Sequence, residues 1–169
     1  MKMEKSLPIP SRVSEFLEVI ESHDDVAVKG TLKCSCGCYK FAIIYHGKKG
    51  KKFFSPNIVK IKSENGKKVV LMAKCNECQK EILIYDSSID GYKNYKNNEV
   101  SFMGEYNIFE CEDCEENNMY IDIAYNSYGK EFLVKKNKLN WEEYFLDIFV
   151  YGKCASCNKD YKGLLEESC

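Results

Sequence analysis

Arginine is nearly missing from this sequence: Arg12 is the one arginine, although lysine is abundant. Arginine is the side chain that grips phosphate and guanine bidentately, so an arginine-built reader of nucleic-acid sequence is not expected. Histidine is scarce too, with only His23 and His46. Neither belongs to a triad-like or metal-catalytic motif, and both are expected at the surface. No P-loop and no G-x-G-x-x-G occurs. Together these absences leave little to support catalysis, and the expectation is that the chain is not an enzyme. No apolar run approaches the roughly 18–20 residues of a membrane span. The first residues, "MKMEKSLPIPSRV", lack an apolar signal-peptide core. A cytoplasmic location without membrane contact is therefore expected.

What the sequence does have is cysteine, ten in 169 residues. A disulfide framework is out of place in a reducing compartment, so paired cysteines there point to metal ligation or redox chemistry. The rest of the composition, 44% hydrophobic and 30% charged, is that of a globular chain. Its length suits one compact domain or two small ones.

The net charge of −1 hides a strong asymmetry. Residues 26–80 hold thirteen lysines and two acids, whereas residues 81–169 hold nine lysines and eighteen acids. Such blocks either complement each other inside the fold or mark a surface for a partner.

The N-terminal segment, 1–25, reads as a short helix. Val13, Phe16, Leu17 and Ile20 follow helical spacing, Ser11 offers an N-cap, and "SHDD" ends the pattern. Beyond it the pattern is β. "YKFAIIYHG", "KEILIYD", "NMYIDIAYNSYG", "EYFLDIFVYGKC" and "KDYKGLL" read as strands, and "NIVKIKSENGKKVVLMAKC" as a hairpin turning at Asn65-Gly66. Seven to nine strands are expected, with a helical turn in "NKLNWEEYF" and Trp141 as a lid over the second half. The abundant tyrosine and phenylalanine alternate along strands, as core and cross-strand packing require.

The cysteines carry an internal repeat. "AKCNECQKE" around Cys75 and Cys78 matches "GKCASCNKD" around Cys154 and Cys157. Each lies downstream of another cysteine cluster, so two similar halves are expected, 26–88 and 105–169, joined by "SSIDGYKNYKNNE". In the second half, 39 residues separate Cys114 from Cys154. In the first, 38 residues separate Cys36 from Cys75, but only 36 separate Cys38 from it. The repeat thus favours Cys34 and Cys36 over Cys38, and Gly37 can supply the positive φ of a tight knuckle. Cys36 with Cys38 stays geometrically open, as does crossed pairing of the upstream clusters. The matching gaps favour pairing within each half.

Two cysteines on a tight turn reach one metal, and two facing turns complete a tetrahedron. Small β modules gain from this, because metal-binding free energy becomes folding free energy. "CSCG…CNEC" and "CEDC…CASC" resemble the zinc-ribbon superfamily over about 30–85 and 108–165. The resemblance implies a mainly β, small α+β fold of two tandem ribbon-like antiparallel modules. It implies two Zn²⁺ per chain, held by Cys34, Cys36, Cys75 and Cys78 and by Cys111, Cys114, Cys154 and Cys157. Iron is the other ion that four thiolates accept.

Function is then expected to be that of a non-catalytic adaptor or binding module, with a protein partner. Two alternatives stand beside it. Lys48, Lys49, Lys51 and Lys52, followed by Phe53 and Phe54, combine charge and rings as a nucleic-acid contact would; they also suit a solvated loop. A C-x-C with a downstream C-x-x-C resembles the metal centre of redox-regulated chaperones, with Cys38 and Cys169 as resolving thiols. The acids around Cys111 and Cys114 read as solvated loop residues or as a face for a basic partner.

Overall fold

Short turns carry the cysteines, and strands carry almost everything else. The computed structural model describes residues 7–52, 55–64, 68–91 and 106–168. In chain order they form α1 (Ser11–Ser14), β1 (Leu17–His23), β2 (Ala27–Leu32), β3 (Phe41–His46), β4 (Lys48–Lys52) and β5 (Ser55–Lys62). There follow β6 (Val70–Cys75), β7 (Glu81–Asp86), β8 (Asn107–Ile108), β9 (Met119–Asn126), α2 (Lys130–Lys135), a 3-10 turn at Trp141–Glu143, β10 (Asp147–Cys154) and β11 (Asp160–Ser168). The fold is mainly β and its strand pairs are antiparallel.

Nine strands make one sheet. Its main path is β1-β2-β9-β3-β6-β7, with β10 on β9, β11 on β10 and β8 on β3. The two halves build it in the same way. Each upstream cysteine cluster is followed by one long strand, β3 or β9. That strand pairs with the first strand of a hairpin, β6–β7 or β10–β11. Phe41 faces Cys75, and Met119 faces Cys154. Phe41 and Met119 stand at the same distance in sequence from Cys36 and Cys114 respectively.

The strands entering the upstream clusters are exchanged between the halves. β2 runs into Cys34 but pairs with β9, and β8 runs into Cys111 but pairs with β3. At the crossing, Phe41 and Met119 pair with each other. Strands of 26–88 and 105–169 thus share a sheet, and their buried side chains form one hydrophobic cluster. Alternation along β9 and β10 sends Ile121, Ile123, Tyr125, Ile148 and Val150 inward with no exposure. β4 and β5 form a separate two-stranded sheet, whose Val59 and Ile61 are buried against this cluster beside β11.

Several sequence expectations are corrected here. The N-terminal helix stops after one turn, capped by Pro10 rather than Ser11, and Leu17 already starts a strand. Leu17–His23 finds a partner in β2, and "SHDD" is the hairpin turn, with Asp24 at φ 48° and the Val26 N–H donating to the His23 carbonyl. Ile20, placed on the apolar helix stripe, is 56% exposed. The β5–β6 hairpin is absent among the described residues: β5 pairs with β4, and β6 with β3 and β7. Asn65-Gly66 lies outside the described residues, as do Phe53, Phe54, Cys169 and most of the linker. Among the described residues there are eleven strands, where seven to nine are expected from the sequence. α2 (Lys130–Lys135) is a helix that the sequence pattern does not signal. The turn in "NKLNWEEYF" is present, but Trp141 is no lid over the second half's cysteines. It is buried in the connection that leaves β9 at Asn126 and re-enters β10 at Asp147, the ladder end away from Met119 and Cys154.

Candidate metal centres

Four turns bring eight thiols together in two groups. The Sγ atoms of Cys34, Cys36, Cys75 and Cys78 all lie within 4.8 Å of one another, as do those of Cys111, Cys114, Cys154 and Cys157. Within the first group Cys34 and Cys78 are 3.4 Å apart, and Cys36 and Cys75 3.6 Å. Within the second, Cys111 and Cys157 are 3.5 Å apart, as are Cys114 and Cys154. Thiolates held at about 2.3 Å by a tetrahedral zinc lie about 3.8 Å from each other. Both groups could hold a metal ion, and crossed pairing is ruled out by the geometry.

The four turns share one backbone design. The N–H of the first cysteine donates to a carbonyl just past the turn: Cys34 to Cys38, Cys75 to Lys80, Cys111 to Glu116, Cys154 to Lys159. The residue after the second cysteine is left-handed each time: Gly37 at φ 91°, Gln79 at 65°, Glu115 at 61°, Asn158 at 64°. Its N–H closes the turn on the first cysteine's carbonyl at 2.8–3.0 Å. The shorter Cys34–Cys36 turn keeps this plan with one residue fewer, and there the left-handed residue is a glycine.

Cys38 is outside both groups. It is buried, and its sulfur accepts the Lys40 N–H at 3.3 Å. Burial pushes its thiol up. The opening C-x-C-x-C run therefore uses its first two cysteines at the cluster.

The electrostatics of the thiols suit a cation. Burial alone would raise Cys75, but the backbone N–H groups of Cys78 and Glu77 and the thiols of Cys36 and Cys78 hold it down to about 6. In the second group burial again opposes, while the Tyr161 hydroxyl, the Asp113 and Cys114 N–H groups and Cys157 hold Cys111 down to about 6. Cys36 and Cys114 go the other way. A backbone N–H favours each thiolate, yet desolvation and the crowd of neighbouring sulfurs push both up to about 12. Each group thus holds one sulfur that favours the thiolate and one that resists it, as expected of neighbouring sulfurs whose negative charge a cation would neutralise.

The centres sit side by side. The row Cys75–Phe41–Met119–Cys154 crosses four adjacent strands, which sets the two cysteines about 15 Å apart. Asn76, in the Cys75 turn, donates to the Asn118 side chain at 2.6 Å.

Their surroundings differ in one respect that the cysteine pattern did not disclose. The Tyr161 hydroxyl donates to Cys111 Sγ at 3.3 Å and accepts the Glu112 N–H at 2.8 Å. Burial and the adjacent sulfur push this phenol up, so it stays protonated and donates. The position corresponding to Tyr161 in the first half, counted from Cys75, is the buried Ile82. Tyr161→Phe is expected to weaken metal binding at the second centre by roughly tenfold or more and to leave the first unchanged. Competition with a chelator, read centre by centre, checks this.

The acids around Cys111 and Cys114 are partly paired. Glu112 meets Lys51 at 3.3 Å and Lys159 at 3.7 Å, and Asp113 meets Lys159 at 2.6 Å. Lys60 pairs with Glu166. Contacts of the basic block with the acidic one thus occur within the molecule. Of the lysines singled out in sequence, Lys49 lies over the Phe109 ring at 5.1 Å and Lys51 is the partner of Glu112, while Lys48 is exposed. The Lys52 side chain is outside the described ones. His23 and His46 belong to neither thiol group. No helix among the described residues is long and apolar enough to cross a membrane. No protein-family model, curated protein or solved structure matches the chain.

Proposed function

We propose that this is a non-catalytic zinc protein, in which two structural Zn²⁺ ions staple a pair of interlocked ribbon-like halves into a scaffold for binding a partner. The observation that carries this reading is the convergence of eight thiols into two four-sulfur groups, each where an upstream turn meets a hairpin. Four thiolates close the coordination shell and leave no position for substrate or activated water. The two histidines, His23 and His46, belong to neither thiol group. The duplicated turn geometry and the matching pairs Phe41–Cys75 and Met119–Cys154 support two tandem ribbons. Their exchanged strands put the two halves in one sheet.

Native mass spectrometry on the whole chain tests this. Two zinc ions are expected in the wild type. Cys34→Ser and Cys36→Ser should each retain one, and Cys38→Ser should retain both. One ion, none, or bound iron in the wild type would overturn the assignment, and loss of an ion on Cys38→Ser would redraw the first centre.

A further inference from the structure

A solvent-facing cleft of about 500 Å³ opens on the sheet face formed by β2, β9 and β10. Thr31, Tyr39, Tyr120, Asp122, Tyr151 and Lys153 line it. The register explains how they meet. Across neighbouring strands Thr31 faces Asp122, which faces Tyr151, and Tyr120 faces Lys153, which faces Asp160. Three tyrosines from three segments thus point away from the core, which Tyr125 on the same strand helps to fill. Ammonium groups lie over one face of two of the rings, Lys29 5.1 Å from the Tyr151 centroid and Lys33 5.1 Å from that of Tyr39, while among the described residues none lies over Tyr120.

We propose that this cleft binds single-stranded nucleic acid, with bases stacked on its tyrosines and the backbone phosphates at Lys29, Lys33 and Lys153. This rests on the zinc-stapled scaffold above and names its partner. Stacking on exposed rings is how single strands are held without an arginine reader. Three acids, Glu18, Asp122 and Asp160, stand among the three lysines, so stacking and not net positive charge is what the cleft offers. Asp122 is held by Thr31 Oγ1 at 2.7 Å and is an acceptor for the exocyclic amine of a base. Glu18 accepts from both Tyr39, at 3.0 Å, and Lys33, at 3.4 Å, at the cleft's rim. Among the β4–β5 lysines, Lys51 and Lys60 likewise have acidic partners. What the cleft has and that hairpin's described residues lack is a set of half-buried rings, of which Tyr39, Tyr120 and Tyr151 all line the opening.

The test is fluorescence anisotropy of a labelled mixed-sequence 12-mer, as single-stranded RNA, single-stranded DNA and duplex DNA, with the zinc-loaded full chain. Saturable binding to the single strands is expected, stronger than to duplex. The logarithm of affinity should fall with that of salt at a slope of about −2, as three phosphate contacts imply. Tyr120→Ala and Tyr151→Ala should each weaken binding about tenfold; Tyr120→Phe and Lys48→Ala should not. The relative affinities for RNA and DNA say which strand is preferred. Absence of saturable binding at low salt overturns the proposal, and so does binding that survives both tyrosine variants. Zinc content and far-ultraviolet circular dichroism are measured on every sample. A wild type with two zincs and no binding sinks the cleft alone, whereas a wild type without zinc sinks the scaffold reading. If an alanine variant misfolds, Lys29→Ala with Lys153→Ala takes its place, with loss of binding expected and unchanged binding counting against the cleft.

Discussion

Stripping the metal with a chelator at neutral pH is expected to unfold the whole chain, not only the turns that hold it. A structural zinc contributes an apparent binding free energy of about 10–16 kcal/mol, while domains of ordinary size are stable by only about 5–15 kcal/mol. If both thiol groups hold zinc, losing the two ions would cost more than the margin by which such domains are ordinarily stable. The first cysteines of the turns, Cys34, Cys75, Cys111 and Cys154, are all buried, so without a cation their sulfurs crowd together in a desolvated place. The loss cannot stay in one half, because β2 rests on β9, β8 rests on β3, and Phe41 pairs with Met119 between the two centres. Trp141 makes this measurable. It is the one tryptophan, 2% exposed, at the ladder end away from the cysteine turns. Its emission should shift to the red in the same transition in which strand circular dichroism disappears, and zinc should restore both. Persistence of the strand signal and an unshifted Trp141 after complete removal of metal would show that the apolar cluster holds the fold unaided.

The parts that could be read from sequence are those set by local chemistry. Thiol spacing identifies the two four-sulfur groups, since two cysteines on one turn need two more from elsewhere and the gaps match. The glycine after Cys36 foretells a left-handed residue, although Gln79, Glu115 and Asn158 adopt the same conformation without glycine. Alternation locates β9 and β10, whose outward and inward residues differ in polarity. What fails is pairing. A stripe such as Val13, Phe16, Leu17 and Ile20 fits helical spacing, but the free edge of β2 gives Leu17–His23 a ladder of backbone hydrogen bonds that helical spacing does not reveal. The exchange of β2 and β8 leaves no trace in periodicity either, since each strand presents the same alternation to its own half or the other. Tyr161 is concealed for the same reason: in "KDYKG" it reads as a strand tyrosine, and only the fold puts its hydroxyl on Cys111.

The sole arginine governs the second large effect. Arg12→Met is expected to cost about 3 kcal/mol, the lower end of the range for breaking a buried ion pair, because Asp90 is buried while Arg12 is partly exposed. Arg12 sits in α1 and reaches the outer edge of β7. Its Nε donates to the Leu83 carbonyl at 3.0 Å, and one terminal nitrogen donates to the Ile84 carbonyl at 3.2 Å and to the Asp90 carboxylate. Asp90, 4% exposed, also accepts the Asp86 N–H at 2.7 Å. One guanidinium therefore covers an edge strand, fixes the turn after it and neutralises a buried acid. A lysine carries no planar fork to do all three. For a chain of this length the loss should appear as a fall in melting temperature of about 10 °C. The pH dependence has a definite sign. Burial already pushes the Asp90 carboxyl up against the opposing pull of Arg12, and without the guanidinium it rises further. A carboxyl raised in the folded state favours folding while protonated and loses that contribution as pH rises through its folded value. The destabilisation by Arg12→Met should therefore be larger at pH 7 than at pH 5, and Asp90→Asn added to it should recover part of the loss at pH 7. Equal destabilisation at both pH values, or no recovery in the double variant, would mean that Arg12 acts through its contacts to the β7 carbonyls and not through the buried charge.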